Sequence, residues 1–201
     1  MSICKDDIGD VVLDSARLCL TRSEGRKVTL AEVAREAGVS RPTVYRRWPD
    51  MDAIIRALLT REVLGVINAV TETTPLRTAD FDATIDLVVR VVGALREDEL
   101  VASLWREQRE FMTPYVFDRL GTSQESVLAI LADTIARGQD RGEVRMGDAK
   151  KMASMVLLIT QSAIQSRALV ETILGDEWSV ELHHALSAYL RRPPVPGTAV
   201  N

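Results

Sequence analysis

The chain has 201 residues, of which 46% are hydrophobic, and its formal net charge is −4. This is enough for one large or two small domains with hydrophobic cores, and no apolar run reaches the roughly 18 residues of a membrane span. Two cysteines, Cys4 and Cys19, argue against a disulfide framework, and charged residues ahead of the first apolar block argue against a signal peptide. We therefore expect a cytoplasmic protein without a membrane partner.

The first predicted element is a helix from about Lys5 to Arg22. An apolar stripe at helical spacing runs along it through Ile8, Val12, Ser15 and Cys19. The stripe predicts that Cys19 is buried.

A second, short helix is predicted to begin at Thr29. Thr29 and Glu32 form the capping-box pattern, in which each side chain bonds the backbone N–H of the other residue. The following apolar residues at i, i+3, i+4 and i+7 are Leu30, Val33, Ala34 and Ala37. Gly38 then stands where a left-handed residue ends a helix without steric cost.

A third helix is predicted from Ser40 to Trp48. Ser40 is the expected N-cap and should accept the Thr43 N–H, Pro42 is tolerated in the first turn, and Pro49 ends the helix. Two short helices joined by a glycine turn are typical of the helix-turn-helix, whose second helix enters the major groove of DNA.

Helical geometry places Val44 and Trp48 on the inward side of this third helix. The outward side then carries Pro42, Thr43, Tyr45 and Arg46. The Arg46 guanidinium suits guanine or phosphate, Thr43 suits a thymine methyl or phosphate, and Tyr45 suits a phosphate oxygen. The pattern as a whole predicts double-stranded DNA as a partner.

The charge distribution agrees with this prediction. Residues 22–47 carry seven Arg or Lys against three Glu, a local charge of +4, whereas residues 48–201 carry sixteen basic against twenty-two acidic groups. Positive charge is therefore concentrated where phosphates would lie.

The run A-E-V-A-x-x-A-G-V-S-x-x-T-V-Y-x-x-W-P, residues 31–49, resembles the DNA-binding signature of the tetracycline-repressor (TetR) family of bacterial regulators. The resemblance implies an all-α homodimer. Its N-terminal three-helix helix-turn-helix domain would bind a palindromic operator, and a helical C-terminal domain would bind a small-molecule effector and dimerise. The expected domains are residues 1–48, residues 49–192, and a disordered tail at residues 193–201.

By position, the resemblance implies that Ser40, Arg41, Pro42, Thr43, Tyr45 and Arg46 line the operator and that Thr29 meets a phosphate. The family usually has Lys at the start of the fourth helix, where this chain has Met51. Arg47 and Arg22 are the candidates to replace that phosphate contact. Repression is the family's usual habit, and nothing in the residues distinguishes it from activation.

The rest of the chain is predicted to be helical, and no stretch alternates like a strand. A long helix should run over residues 50–73, with a loop at residues 74–80. Further helices are expected at residues 81–96, 99–110, 114–141 (with a break at Gly121 as an alternative), 148–174 and 178–192. Because no linker rich in Pro, Gly or Ser follows Pro49, a shift of the fourth helix would move the helix-turn-helix directly.

Four of the nine aromatic residues fall within residues 105–117. They are compatible equally with a packed core and with the wall of an effector pocket, because both use the same residue types. The candidate pocket residues are Trp105, Phe111, Met112, Tyr115 and Phe117, with Gln161 and Gln165 as polar groups; Arg106 and Gln108 are further polar alternatives.

The last two helices carry stripes close to a heptad pattern, which predicts a four-helix dimer interface, although a core within one chain explains part of the pattern. The candidate interface residues are Met152, Val156, Ile159, Ala163, Ser166, Val170, Leu182, Leu186 and Tyr189.

Two other classes of function compete with DNA binding. The sequence gives little support for an enzyme. Glu181 and His184 form one Glu-x-x-His motif, whereas a di-iron site needs two such motifs, and His183 is the only other histidine. No nucleotide-binding or nucleophile motif occurs. We expect no cofactor and no metal. A helical small-molecule-binding or adaptor protein without operator binding is the remaining alternative, which Met51 favours slightly.

Overall fold

The computed structural model describes residues 5–23 and 26–193, and apart from one isolated β-bridge their regular structure is helical. The all-α fold class is thereby confirmed. The helices are α1 (Lys5–Thr21), α2 (Leu30–Glu36), α3 (Arg41–Arg47), α4 (Met51–Thr71), α5 (Phe81–Glu97), α6 (Glu99–Glu107), α7 (Arg109–Met112), α8 (Pro114–Phe117), α9 (Thr122–Asp140), α10 (Ala149–Gln165), α11 (Arg167–Leu174) and α12 (Trp178–Leu190), with a 3-10 turn at Gly175–Glu177. None of the described helices meets the combined demands of length and hydrophobicity that spanning a bilayer imposes.

The chain divides into two compact units. The first comprises Met1–Gly65 and Leu95–Glu125, and the second comprises Val66–Ala94 and Ser126–Asn201. Most of the predicted tail, residues 194–201, lies outside the described residues, as does Cys4.

The first unit has one core, to which α1–α4 and α6–α7 contribute. The predicted domain boundary after residue 48 differs from the observed division, because Ile54 and Leu58 of α4 and Leu100 and Leu104 of α6 are buried in the same core as Val44 of α3. Burial of an Ile or Leu side chain contributes about 1.5–3 kcal/mol each, so these helices stabilise the helix-turn-helix as part of its own domain. Cys19, predicted to be buried, is only partly so.

The second unit has a separate core made by α5, α9, α10 and α12. Ile85, Val156 and Leu186 are almost fully buried in it. The isolated antiparallel bridge joins Val144 to Arg191, next to a bond from the Arg145 N–H to the Leu190 carbonyl (2.9 Å). This bridge holds the turn after α9 against the end of α12.

Two long predicted helices are interrupted, and the shorter helix expected over residues 99–110 breaks at Gln108, between α6 and α7. The helix expected over residues 114–141 breaks between Phe117 and Thr122, where Gly121 is buried against the Tyr115 ring and the Gln124 side-chain oxygen accepts the Gly121 N–H (2.7 Å). The helix expected over residues 148–174 breaks at Ser166. The apolar period continues across Ser166, which is why the pattern of residues did not reveal the second break.

Candidate nucleic-acid interface

The predicted capping box is present at the start of α2. The Thr29 hydroxyl accepts the Glu32 N–H (3.3 Å), and Glu32 accepts the Thr29 N–H (2.9 Å). Hydrogen bonds to the Glu32 carboxylate, first from the Thr29 backbone and then from the Arg26 guanidinium, lower its pKa below the ordinary value. Thr29 is therefore held in one orientation at the exposed end of α2.

A Schellman turn connects α2 to α3. The Val39 N–H donates to the Ala34 carbonyl (3.0 Å) and the Gly38 N–H to the Arg35 carbonyl (3.2 Å). Gly38 has φ of 66°, a left-handed conformation that side chains disfavour. The turn requires glycine for this conformation alone, because an added Cβ would have no atom within 4 Å.

α3 buries one side and exposes the other. Val44 is fully buried and Trp48 nearly so, while Tyr45 is 51% exposed. As predicted, Ser40 caps the helix: its hydroxyl accepts the Thr43 N–H (3.4 Å) and lies 2.7 Å from the Thr43 hydroxyl. The predicted side chains Ser40, Arg41, Pro42, Tyr45 and Arg46 are exposed together, and Thr43 is half-buried at their edge.

All seven basic residues of the segment 22–47 have exposed side chains. Arg26 is paired with Glu32 at 2.5 Å. An exposed cationic surface with hydroxyl and phenol groups is chemically suited to phosphate oxygens and base edges.

Arg47 differs in position from the other arginines of α3. Its guanidinium lies beside Gly9 of α1, and its Cζ is 5.1 Å from the centre of the Trp48 ring. Arg47 is thus in contact with another helix of the same unit, although the residue is exposed to solvent.

Met51 is half-buried and packs against the core of the first unit. Asp50 caps α4 at this point, since its carboxylate accepts the Ala53 N–H (2.6 Å). The start of α4 therefore offers a thioether and a carboxylate, neither of which attracts phosphate, whereas Arg22 is exposed at the end of α1.

A network of ion pairs that the sequence analysis did not predict joins α1, α4 and the N-cap of α6. Arg17 binds Glu62 (2.7 Å) and Asp98 (2.8 Å), and Arg61 binds Asp14 (2.8 Å) and Glu62 (2.9 Å). Partial burial opposes the charge of Arg17, but the hydrogen bond and charge of Asp98, with the charge of Glu62, raise its pKa. Because its partners are 45 and 81 residues away along the chain, no local pattern could have identified this network.

The predicted pocket residues divide between the two units. In the first unit, Met112 is buried in the core, Trp105 and Phe111 pack against it, and the Phe111 and Tyr115 ring centres lie 5.2 Å apart. Phe117 was predicted to line a pocket, but at the last position of the one-turn helix α8 its side chain is 79% exposed.

The other predicted pocket residues, Gln161 and Gln165, lie on α10 in the second unit and are half-buried. The Gln165 side-chain nitrogen is buried and has no hydrogen-bond partner among the described residues. An unsatisfied buried donor costs about 1–3 kcal/mol.

Four residues of the predicted dimer stripe require correction. Met152, Val156, Leu182 and Leu186 are buried in the core of their own unit, so they have almost no surface left to cover on dimerisation. Three further residues of the stripe pack against the same core, namely Ile159, Ala163 and Tyr189. The other two are half-buried: Ser166 at the helix break and Val170 in α11. The reason is that apolar spacing specifies a buried face without specifying which chain covers it.

A different apolar surface is open on the same helices. α10 and α12 pack against each other, and their outer sides carry Met155, Leu158 and Val180. Exposed small residues accompany them, namely Ser162, Ala185 and Ala188. On α11, Leu169 and Ile173 are also exposed.

The histidine pair shows no ligand arrangement among the described residues, in which no group of three or more metal-binding side chains occurs. His183 lies 3.3 Å from the Asp86 carboxylate, and His184 and Glu181 are exposed.

Comparisons with known proteins agree with this geometry. Residues 12–58 match the family described as bacterial regulatory proteins, tetR family. An HTH-type transcriptional regulator of Mycobacterium bovis is 43% identical over 191 residues, which cover 94% of this chain and 98% of that protein.

Two solved structures share the fold. The transcriptional repressor QsdR of R. erythropolis has a TM-score of 0.67 at 15% identity, over 94% of this chain and 98% of that chain. SmeT in complex with triclosan has a TM-score of 0.61 at 18% identity, over 95% of this chain and 96% of that chain.

Proposed function

The chain belongs to the tetR family of bacterial regulatory proteins, and on this basis we propose that it is a cytoplasmic homodimeric repressor that binds a palindromic operator and is released by a small molecule. As a member of this family it is a DNA-binding transcriptional regulator and not an enzyme. The observation that carries the proposal is the exposed face of α3, where Tyr45 and Arg46 point outward from a helix anchored by Val44 and Trp48.

The operator contacts have separate roles. Arg46 supplies two parallel donors to guanine or clamps a phosphate, while Thr43 and Pro42 contact base methyl groups. Thr29, Ser40, Arg41 and Tyr45 bind phosphates and fix the position of α3 in the groove.

The dimer supplies the second copy of this short helix. One α3 of seven residues contacts few base pairs, whereas two copies about 34–36 Å apart contact two half-sites. The exposed face of Met155, Leu158 and Val180 supports α10 and α12 as the interface, because it is apolar and its small neighbours permit close approach of a partner helix.

The effector is proposed to be a small amphipathic molecule. It would bind either against the aromatic residues Trp105, Phe111 and Tyr115 within the first unit or, within the second unit, against the apolar residues of α10 with a polar group satisfying the Gln165 amide. The ion pairs of Arg17 with Glu62 and Asp98 support coupling between effector binding and DNA binding, since a shift of α4 or α6 would displace α1 as well.

The test uses the full chain and a randomised duplex library. Sequences enriched by the wild-type protein should be palindromic, and Arg46→Ala should bind the enriched duplex about 10- to 100-fold more weakly while losing preference at one base position of each half-site. Arg90→Ala, at another exposed arginine, in α5, is the matched control and should bind as wild type. Failure to enrich any sequence would favour the adaptor alternative.

A further inference from the structure

The contact between α3 and α1 is unusually close at one point. The position that a Cβ would take at Gly9 lies 2.6 Å from Nη1 of Arg47 and 2.8 Å from its Cζ and Nη2. All three distances are too short for a real carbon atom, so the guanidinium occupies the space that any other residue at position 9 would need. On the same side chain, Cζ stands 5.1 Å from the centre of the Trp48 ring.

Gly9 lies inside α1 and its residue is buried. Glycine within a helix is less favourable than alanine by about 0.5–1 kcal/mol, because it loses more backbone freedom on folding. A Cβ at position 9 would displace the guanidinium of Arg47, which lies against the backbone of α1 in the place of a side chain.

We infer that Arg47 is a positioning residue for operator binding: it fixes the C-terminal end of α3 to α1 through Gly9 and Trp48, and it is not a phosphate contact. This inference rests on the proposed use of α3 as the DNA-binding helix. α3 has only two turns, and its remaining anchors are Val44 in the core and the Schellman turn at its start. A fixed Arg47 therefore sets the direction in which the neighbouring Arg46 points.

The salt dependence of binding separates positioning from phosphate contact. Loss of a phosphate contact lowers the slope of log affinity against log salt by about 0.9, whereas loss of positioning weakens the specific complex and leaves the slope unchanged. We expect Arg47→Ala to bind the enriched duplex roughly tenfold more weakly with the wild-type slope between 50 and 200 mM salt. A slope reduced by about one contact would overturn the inference.

Arg47→Lys provides a second discrimination. Lysine keeps the charge and would preserve a phosphate contact, but it has no planar group to lie between Gly9 and the Trp48 ring. Arg47→Lys should therefore bind as weakly as Arg47→Ala, and wild-type affinity in this variant would count against positioning.

Gly9→Ala tests the contact from the other side. The added methyl should displace the guanidinium and weaken operator binding by about fivefold to twentyfold, while thermal stability stays equal or rises because alanine favours the helix. In the Arg47→Ala background the same change should have no further effect on affinity. Independent, additive effects of the two substitutions would show that the contact does not act in binding.

Gly65→Ala is the matched control, because Gly65 is also inside a helix but an added Cβ there has no atom within 4 Å. It should leave the affinity unchanged. If Gly9→Ala does not fold, the two Arg47 variants still decide. If Arg46→Ala and the Arg47 variants all bind the operator normally, the proposed DNA-binding face is wrong. If the Arg47 variants bind normally but Arg46→Ala binds weakly, only the positioning role of Arg47 is refuted.

Discussion

The outer sides of α3 and of the α10–α12 pair have opposite chemistry. Both elements anchor themselves with buried apolar residues, Val44 in α3 and Leu186 in α12. What they leave exposed differs: α3 presents a phenol and guanidinium groups, while α10 and α12 present Leu158 and Val180 beside small residues.

This difference indicates two kinds of partner. A cationic surface with directional donors is suited to a polyanion, whose binding is salt-dependent and is specified by hydrogen bonds. An apolar surface gains free energy by removal from water and is suited to a complementary protein surface, such as a second copy of this chain.

The largest effect should come from placing charge on the apolar surface. Leu158→Asp together with Val180→Asp would bury uncompensated carboxylates in a dimer, so we expect a monomer by analytical ultracentrifugation. Since two linked half-site contacts bind far more tightly than one, operator affinity should fall by about two orders of magnitude or more.

Met146→Asp is the control for that experiment. Met146 is also an exposed apolar residue of the second unit, but it lies in the turn between α9 and α10. Its substitution should leave the dimer and the operator affinity intact. A Leu158/Val180 variant that remained dimeric would place the interface elsewhere.

The second effect concerns the buried stripe of the same helices. Leu186→Ala should lower the free energy of unfolding by about 2–5 kcal/mol through the cavity it leaves in the core. Because Leu186 belongs to the chain's own core, this loss of stability should be independent of protein concentration. Urea denaturation at two protein concentrations measures it. Leu158→Ala should instead show a concentration-dependent loss; the reverse pattern would restore the heptad stripe as the interface.

The contrast between these two regions also explains what could be predicted from the sequence. Around α2 and α3 the determining interactions lie within five residues: Thr29 with Glu32, Gly38 at a left-handed turn, and Ser40 with Thr43. Such short-range bonds follow from residue type and spacing, so the caps, the turn and the exposed side of α3 were predicted correctly.

In the rest of the chain the determining contacts are distant in sequence. The stripe containing Met152 and Leu186 was recognised as apolar, but whether its own chain or a partner covers it depends on folding of the whole unit. The pairing of Arg17 with Asp98, 81 residues away, and the contact of Arg47 with Gly9 depend on tertiary structure in the same way.

A moderate effect is expected at the phenol of α3. Tyr45→Phe keeps the ring and removes one neutral hydroxyl donor, so operator affinity should fall by about threefold to tenfold. The salt slope should not change, because no charge is lost, and this separates Tyr45 from Arg46. Tyr189→Phe makes the same chemical change in the second unit and should have no effect; an unchanged affinity for Tyr45→Phe as well would remove the phenol from the interface.

The smallest effect concerns the cap that orients α2. Because the pKa of Glu32 is lowered in the folded protein, its contribution to stability is present above the unfolded pKa and is lost as the pH falls through the folded pKa. Glu32→Gln should therefore be less stable than wild type at neutral pH, and the difference in melting temperature between the two proteins should shrink on acidification below about pH 4. A difference in melting temperature that is constant with pH would mean that the charge of Glu32 contributes nothing to holding Thr29 at the end of α2. The same surface that presents donors to DNA would then be oriented by neutral hydrogen bonds and helix packing alone.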